Sequence, residues 1–384
     1  MSHHVSPLTA VFFCLVVAHQ TAAAENTAKI TFKKTQLDAR FRSEGACIAD
    51  FNHDSRLDIA AGGVYYAAPD WRMHAIFAEP QEFDPKGYSG SFCNFSDDLN
   101  GDGWADLILV DFPGQQTWWF ENPQASGVAW KRHTCVPETN NESPTYLDLD
   151  GDGRRELVYA AGAFMAYARP ADAPTDLWRI THVSAADAPG TNRYSHGLGV
   201  GDVNGDGRSD ILVIQGWWEC PPDAASLPWK FHPAPFGPDC AQMHVYDFDG
   251  DGDNDVLSSS AHNFGIWWHE QTGDGWKTHE IDKSYSQTHS ICLTDVNGDG
   301  LPDFVTGKRW WAHGGADPGG EQPAVFFWYE LTRKQERPVW IPHQFDHDSG
   351  VGTQFEMADI NADGLVDIAT ASKKGVYYHE QLRE

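Results

Sequence analysis

The chain has 384 residues, with 55 Asp or Glu against 27 Lys or Arg and a formal net charge of −28. That balance excludes a nucleic-acid partner, because phosphate contacts need clustered Lys and Arg, and it opposes docking on an anionic membrane surface. With 16 Trp and 13% aromatic residues the chain is not a disordered one.

The first feature is an apolar run from Leu8 to Ala18, followed by Ala22, Ala23 and Ala24. Small residues at the −3 and −1 positions predict a secretory signal peptide over residues 1–24, cleaved near Ala24. The run is too short to anchor in a bilayer, and no later run approaches a membrane span. The protein is therefore expected to be secreted or periplasmic, with residues 25–384 forming one domain. Six further cysteines remain, and Cys220 and Cys240 bracket a Pro-rich segment. Either these two pair in an oxidising compartment, or all six are small core residues.

Residues 29–38, KITFKKTQLD, read as a strand. Beyond them one pattern recurs seven times: Asp-x-[Asp/Asn]-x-Asp-Gly-x-x-[Asp/Glu], followed by a short apolar run. Positions 1, 3, 5 and 9 are Asp50, Asn52, Asp54 and Asp58 in the first copy and Asp98, Asn100, Asp102 and Asp106 in the second. They are Asp148, Asp150, Asp152 and Glu156 in the third and Asp202, Asn204, Asp206 and Asp210 in the fourth. The fifth has Asp247, Asp249, Asp251 and Asp255, and the sixth Asp295, Asn297, Asp299 and Asp303. The seventh has Asp359, Asn361, Asp363 and Asp367. Alternate side chains of a tight loop converge on one point, and Ca2+ takes six to eight oxygens, so this donor set suits calcium. Gly at position 6 permits the turn; the first copy has Ser55 there, and an Asx-turn without metal is the alternative for it. The loops hold 23 of the 55 acids, so much of the charge is directed at metal.

β-Branched and aromatic residues flank each loop, as strands require. A strand precedes the loop, a second follows, a third carries paired aromatics (TWWFEN, GWWECP, GIWWHEQ), and a fourth reads Trp-Lys-x-His in most copies. His74, His133, His232 and His279 recur in that fourth strand and are read as architectural. Four short strands per roughly fifty residues is the signature of a propeller blade. The last copy ends after its third strand, and residues 29–38 can complete it. The expected fold is all-β: a seven-bladed β-propeller of four-stranded blades, with the N-terminal strand closing the last blade and a calcium loop in each. The loops resemble the FG-GAP/VCBS repeats of secreted propellers.

Residues that break the repeat are the candidates for chemistry. Six positions before the loop Asp, where the innermost strand begins, stand Glu44, Phe92, Glu142, His196 and His289. His244 lies three before Asp247, and Gln354 five before Asp359. Imidazoles converging there could hold a transition metal such as Zn2+, on His196, His244 and His289, or act as acid and base. The sixth copy departs most. Lys308, Arg309 and His313 stand beside Trp310 and Trp311, and His262 occupies the equivalent loop of the fifth copy. Cations beside aromatic faces suit an anionic or carbonyl group on a sugar ring, so His262, Trp310, His313 and Gln354 are candidate substrate contacts.

From about Tyr194 onward the stretches YSHGLGVGDVNGDGRSDILVIQGWWE, HSICLTDVNGDGLPDFVTGKRWWAH and GVGTQFEMADINADGLVD resemble the propeller of aldos-2-ulose dehydratases and related bacterial VCBS proteins. The resemblance implies a carbohydrate lyase or dehydratase performing β-elimination of water from a keto-sugar. It would make His196 or His289 the base or a metal ligand, Lys308 or Arg309 the oxyanion stabiliser and Trp310 the ring support. A non-catalytic calcium-stabilised propeller that binds a glycan or a protein is the alternative.

Overall fold

A computed structural model describes residues 29–335 and 337–384. The expected signal peptide lies outside the described residues. Five separate four-stranded sheets and one eight-stranded sheet make up the molecule. Four of the five are sequential meanders: Cys47–Ala49 to Arg72–Ala75, Cys93–Asp97 to Lys131–Thr139, Thr145–Leu147 to Arg179–His182, and Ile291–Thr294 to Pro338–Asp346. The fifth joins the two ends of the chain. Ile30–Asp38 pairs antiparallel with Gly375–Arg383, from Ile30 opposite Arg383 to Asp38 opposite Val376.

The expectation of seven four-stranded blades is corrected by the eight strands between Leu198 and Ser286. They form one continuous sheet, so the propeller has five separate blades. The fusion is a parallel pairing of two innermost strands, Leu198 with Gln242 and Gly199 with Met243. The sequence HGLGVGD makes this approach feasible. A Cβ on Gly199 would lie 2.6 Å from the Met243 carbonyl oxygen, and one on Gly201 would lie 2.7 Å from Val245 Cβ. Side chains at those positions would hold the two strands apart.

Apolar clusters sit between consecutive sheets. Ile108 and Trp119 pack with Tyr159 and Trp178, and Ile59 and Tyr66 pack with Ala369 and Tyr378, which closes the ring. Beneath the paired aromatics, histidines of the fourth strand stack on rings of the third. His133 lies 4.4 Å from Trp119, His232 4.2 Å from Trp217, His279 4.3 Å from Trp268 and His343 4.2 Å from Trp328. Each of these four also meets a glutamate two residues beyond its tryptophan, as His232 meets Glu219 at 2.6 Å. The repeated histidine is therefore a packing device, as its recurrence suggested. The six described cysteines are free thiols, five of them buried, so Cys220 and Cys240 serve as small core residues. Among the described residues no helix is long and apolar enough to cross a membrane.

Asp38, at the end of the strand that completes the last sheet, is tied by its side chain to the first sheet. Its carboxylate accepts hydrogen bonds from Arg40 Nε at 2.8 Å, Arg42 Nε at 3.0 Å and Tyr66 Oη at 2.9 Å. Burial alone would raise its pKa, but the bonds from Arg40, then Arg42 and Tyr66, hold it down at about 2. A depressed folded-state pKa contributes stability that is present above the ordinary carboxylate value of about 4 and is lost as pH falls through the folded value. Urea titrations of the wild type from pH 5 to pH 2 are expected to show this loss. Asp38→Asn is expected to be less stable at pH 7 by about 3 kcal/mol and to have a shallower pH dependence over the same range.

Candidate functional site at the axial mouth

Each innermost strand runs from one end of the molecule to its Asp-rich loop, and the next strand returns antiparallel. Residues just before the innermost strands and residues in the hairpins after the second strands therefore share one end, opposite the loops. His196 and His289 enter from the first kind of position, and His262 from the hairpin between Asp255–Ser259 and Phe264–Thr272. Their ligand nitrogens lie within 4.8 Å of one another. His262 Nε2 is 3.1 Å from His196 Nε2. His289 Nε2 is buried with no hydrogen-bond partner.

The far nitrogens are held. His262 Nδ1 lies 3.2 Å from Asp317 Oδ2, and His289 Nδ1 lies 3.4 Å from the Gln287 carbonyl oxygen. A ring whose Nδ1–H is donated in this way keeps its Nε2 lone pair free, which is how metal-binding histidines are oriented. Burial, followed by the charge of Arg309 and the neighbouring imidazoles, pushes His289 well below its ordinary value, so the ring is neutral. Burial and the charge of His196 likewise lower His262.

A second network stands behind this cluster. Arg309 is buried between Glu44 and Glu142, donating from Nη2 to Glu44 and lying 3.5 Å from Glu142 Oε2. Glu142 Oε2 is also 3.3 Å from His196 Nε2. Burial would raise the Glu142 pKa, but the His196 contact and the Arg309 charge hold it at about 2. Lys308 is buried too, its Nζ donating to Gln287 Oε1 and, at 3.2 Å, to Ser286 Oγ. Burial brings its pKa down to about 8.

The site departs from the sequence reading in several places. His244 stays out of the cluster. Its Nε2 bonds the Ile291 carbonyl oxygen at 2.9 Å, because its odd offset turns it to the other side of the strand. His262 takes its place. Arg309 is enclosed by two carboxylates, so it positions Glu142 and has no face for an oxyanion. Both amide groups of Gln354 are spent on backbone, accepting from Asn94 N at 3.2 Å and donating to the Ala46 carbonyl oxygen at 2.8 Å. Trp310 and Trp311 lie together at the mouth, with ring centroids 5.4 Å apart. His313 is exposed, stacks on His262 at 4.5 Å and meets Asp317 at 3.1 Å.

Asp317, Gln287 and Tyr88 were not singled out. In sequence Asp317 stands in a Gly-rich stretch, GADPGGEQP, within the sixth copy and with no motif around it. Gln287, Trp311, His313 and Tyr194 all have positive φ, from 46° to 67°. Bulky residues in that region are strained, and such strain gathers at functional sites.

The Asp-rich loops share one geometry at the opposite end. In the second loop Asp98 accepts from the backbone N–H of Asp102 at 3.0 Å and of Gly103 at 2.8 Å, and Asn100 accepts from Asp102 N at 3.0 Å. The first loop makes the same bonds despite Ser55, which adopts φ 69°. The position-9 acid is buried in every copy. Burial, and then the neighbouring aspartates working against backbone N–H bonds, push Asp58, Asp106, Asp210, Asp255 and Asp303 up to about 7. Oxygen donors crowded in this way suit a hard divalent cation. The third loop differs: the Arg169 guanidinium reaches Asp150, Asp152 and Glu156. A cleft of about 380 Å³ between the first two loops, lined by Asp50, His53, Asp98, Trp104 and Arg155, lies at this end, away from the histidines.

The chain carries FG-GAP-like repeats, matched at residues 98–159 and 247–306. No curated protein matches the sequence. Among solved structures it is similar to BBS1N in complex with ARL6DN, at 8% identity over 92% of this chain and 96% of that one, with a TM-score of 0.55. It is also similar to the extracellular domain of the one component system BT4673 from B. thetaiotaomicron, at 10% identity over 91% of this chain and 40% of that one, with a TM-score of 0.51. A lectin of Agrocybe aegerita that recognises non-reducing terminal N-acetylglucosamine is 15% identical over 83% of this chain and 81% of its own, with a TM-score of 0.47. The first two of these likenesses show the fold alone.

Removing Arg309 would leave Glu44 and Glu142 buried and uncompensated. Arg309→Met is expected to lower unfolding free energy by about 3–5 kcal/mol in urea titration. Adding Glu44→Gln and Glu142→Gln to the same chain should restore most of that loss.

Proposed function

We propose that this propeller holds a transition metal such as Zn2+ on His196, His262 and His289 and acts beside it as a carbohydrate lyase that eliminates water from a keto-sugar. The observation that carries the reading is the convergence of three imidazole nitrogens, one of them buried without a partner, while the far nitrogens of His262 and His289 are held by Asp317 and the Gln287 carbonyl. Three histidines with an open position are a common catalytic zinc set. When bound, such an ion supplies Lewis-acid stabilisation of charge on a carbonyl oxygen.

The chain's own residues do the rest. His313 is the solvent-facing imidazole, oriented through Nδ1 by Asp317, as a base and its orienting carboxylate must be. It takes the proton from the carbon next to the carbonyl at Nε2. The hydroxyl on the following carbon departs as water with that proton, leaving a carbon–carbon double bond conjugated to the carbonyl. Trp310 and Trp311 offer faces for the ring. Lys308, fixed by Gln287 and Ser286, balances negative charge near the cluster.

The aromatic rim favours a second reading, in which the mouth binds a glycan or protein without turnover: Tyr88 and Tyr194 are exposed, and both pack on Phe112. Metal analysis and incubation with a panel of keto-sugars separate the two. For the lyase, one equivalent of zinc and ultraviolet absorbance of an unsaturated ketone are expected. His289→Ala should lose metal and product together, and His313→Ala should lose at least about 100-fold in rate while keeping metal. Glycan binding with no product would support the second reading and sink the first.

The Asp-rich loops are proposed to bind Ca2+ and stiffen the ring, the third less strongly because Arg169 already supplies a cation. Chelation is expected to lower the Tm by roughly 10 °C or more, since several sites contribute through mass action. An unchanged Tm would refute it.

A further inference from the structure

One buried cation at this mouth has no role in the proposed reaction. Lys373 lies in the hairpin between Asp367–Ser372 and Gly375–Arg383 and is 3% exposed. Its Nζ donates to the Trp311 carbonyl oxygen at 3.2 Å and sits 4.2 Å from the centroid of the Tyr88 ring. Among the described residues only Lys308 and Lys373 are buried lysines. The hydrogen-bond partners of both are neutral. Surface lysines such as Lys34 and Lys374 meet carboxylates directly.

A lysine is rarely buried without a paired charge. One carbonyl and one ring face leave at least one of the three ammonium donors of Lys373 unused. Its neighbour Tyr88 is exposed at the rim, and the Tyr88 hydroxyl accepts the His313 N–H at 3.1 Å, so the ammonium lies directly behind the residues that face an incoming ligand. Glu44, Glu142 and Asp84 act on Lys373 only through space, opposed by Arg309, and its hydrogen bond goes to a carbonyl instead. The ammonium thus keeps donor capacity for a further partner, in a chain whose formal charge is −28. Such an isolated positive site, walled by low-dielectric aromatics, selects an anion.

We propose that the ligand of this mouth carries a carboxylate, as a uronic acid does, and that Lys373 is the residue that recognises it. Trp310 and Trp311 would take the ring, and Lys373 would exchange its bond to the Trp311 carbonyl for the carboxylate as its flexible stem extends past Tyr88. This rests on reading the mouth as a sugar site, but not on turnover there.

The test is calorimetric titration of the zinc-supplemented full chain with sodium D-glucuronate, with D-glucuronamide, which is neutral and of the same shape, and with D-glucose. Glucuronate is expected to bind at least about tenfold tighter than either neutral sugar, the gain ordinary for a charged hydrogen bond. Lys373→Met should abolish that preference without changing zinc content, and Lys373→Arg should retain part of it. The comparison of glucuronate with glucuronamide needs no variant, so a folding defect in Lys373→Met does not spoil it. Equal affinities for the three sugars, binding of none of them, or an unchanged preference in Lys373→Met would each overturn the proposal. Glucuronate selectivity without zinc uptake or an unsaturated product would leave it standing and defeat the lyase reading instead.

Discussion

Everything else in this fold hangs from a buried carboxylate, the ninth residue of each Asp-rich loop. In the second loop Asp106 accepts the Leu99 N–H at 3.1 Å and the Asn122 N–H at 2.8 Å, tying the turn after the innermost strand to the end of the third strand. Asp58, Asp210, Asp255, Asp303 and Asp367 make the same pair of bonds in their own copies. Glu156 makes one of them and takes Arg169 in place of the other. Carboxylates so placed cannot be removed without orphaning backbone donors. The conformation of the loop is therefore set by the chain itself.

With the loop end fixed, the opposite end is free to vary, and there the copies stop resembling one another. Glu44, Glu142 and Arg309 come from three different parts of the chain and form a single buried ion triad. His196 touches that triad through Glu142 and touches His262 on its other side. The polar chain continues through Asp317 to His313 and through Gln287 to Lys308. A site of this kind depends on the assembled sheets, because Glu44 and Arg309 meet across 265 residues of sequence.

Much of this was legible in advance, and what was not has a physical cause. The loops, the short strands and the architectural histidines are local patterns repeated many times, so chance similarity is averaged out. His196 and His289 were visible because they share one offset from the loop. His244 was misjudged for the site because a strand alternates its faces, and its odd offset sends it to the Ile291 carbonyl. His262 was recognised as a loop residue near the mouth but not as a partner of His196, since the hairpin that carries it is 66 residues further along. Arg309 looked like an available cation until Glu44 and Glu142 were seen to enclose it.

The amino-acid sequence by itself determined the strand-forming units, the oxygen-rich turns and the end at which irregular residues collect, because each follows from contacts within a few residues or from strand periodicity. Only the tertiary structure decided how many sheets those strands make, since the pairing of Leu198–Gly201 with Gln242–Tyr246 depends on two backbones meeting in space over Gly199 and Gly201. It also decided which histidines converge and that Lys373 is buried with a carbonyl, not a carboxylate, as its hydrogen-bond partner. Burial and long-range charge pairing are properties of the closed ring, and no local pattern in the chain encodes them.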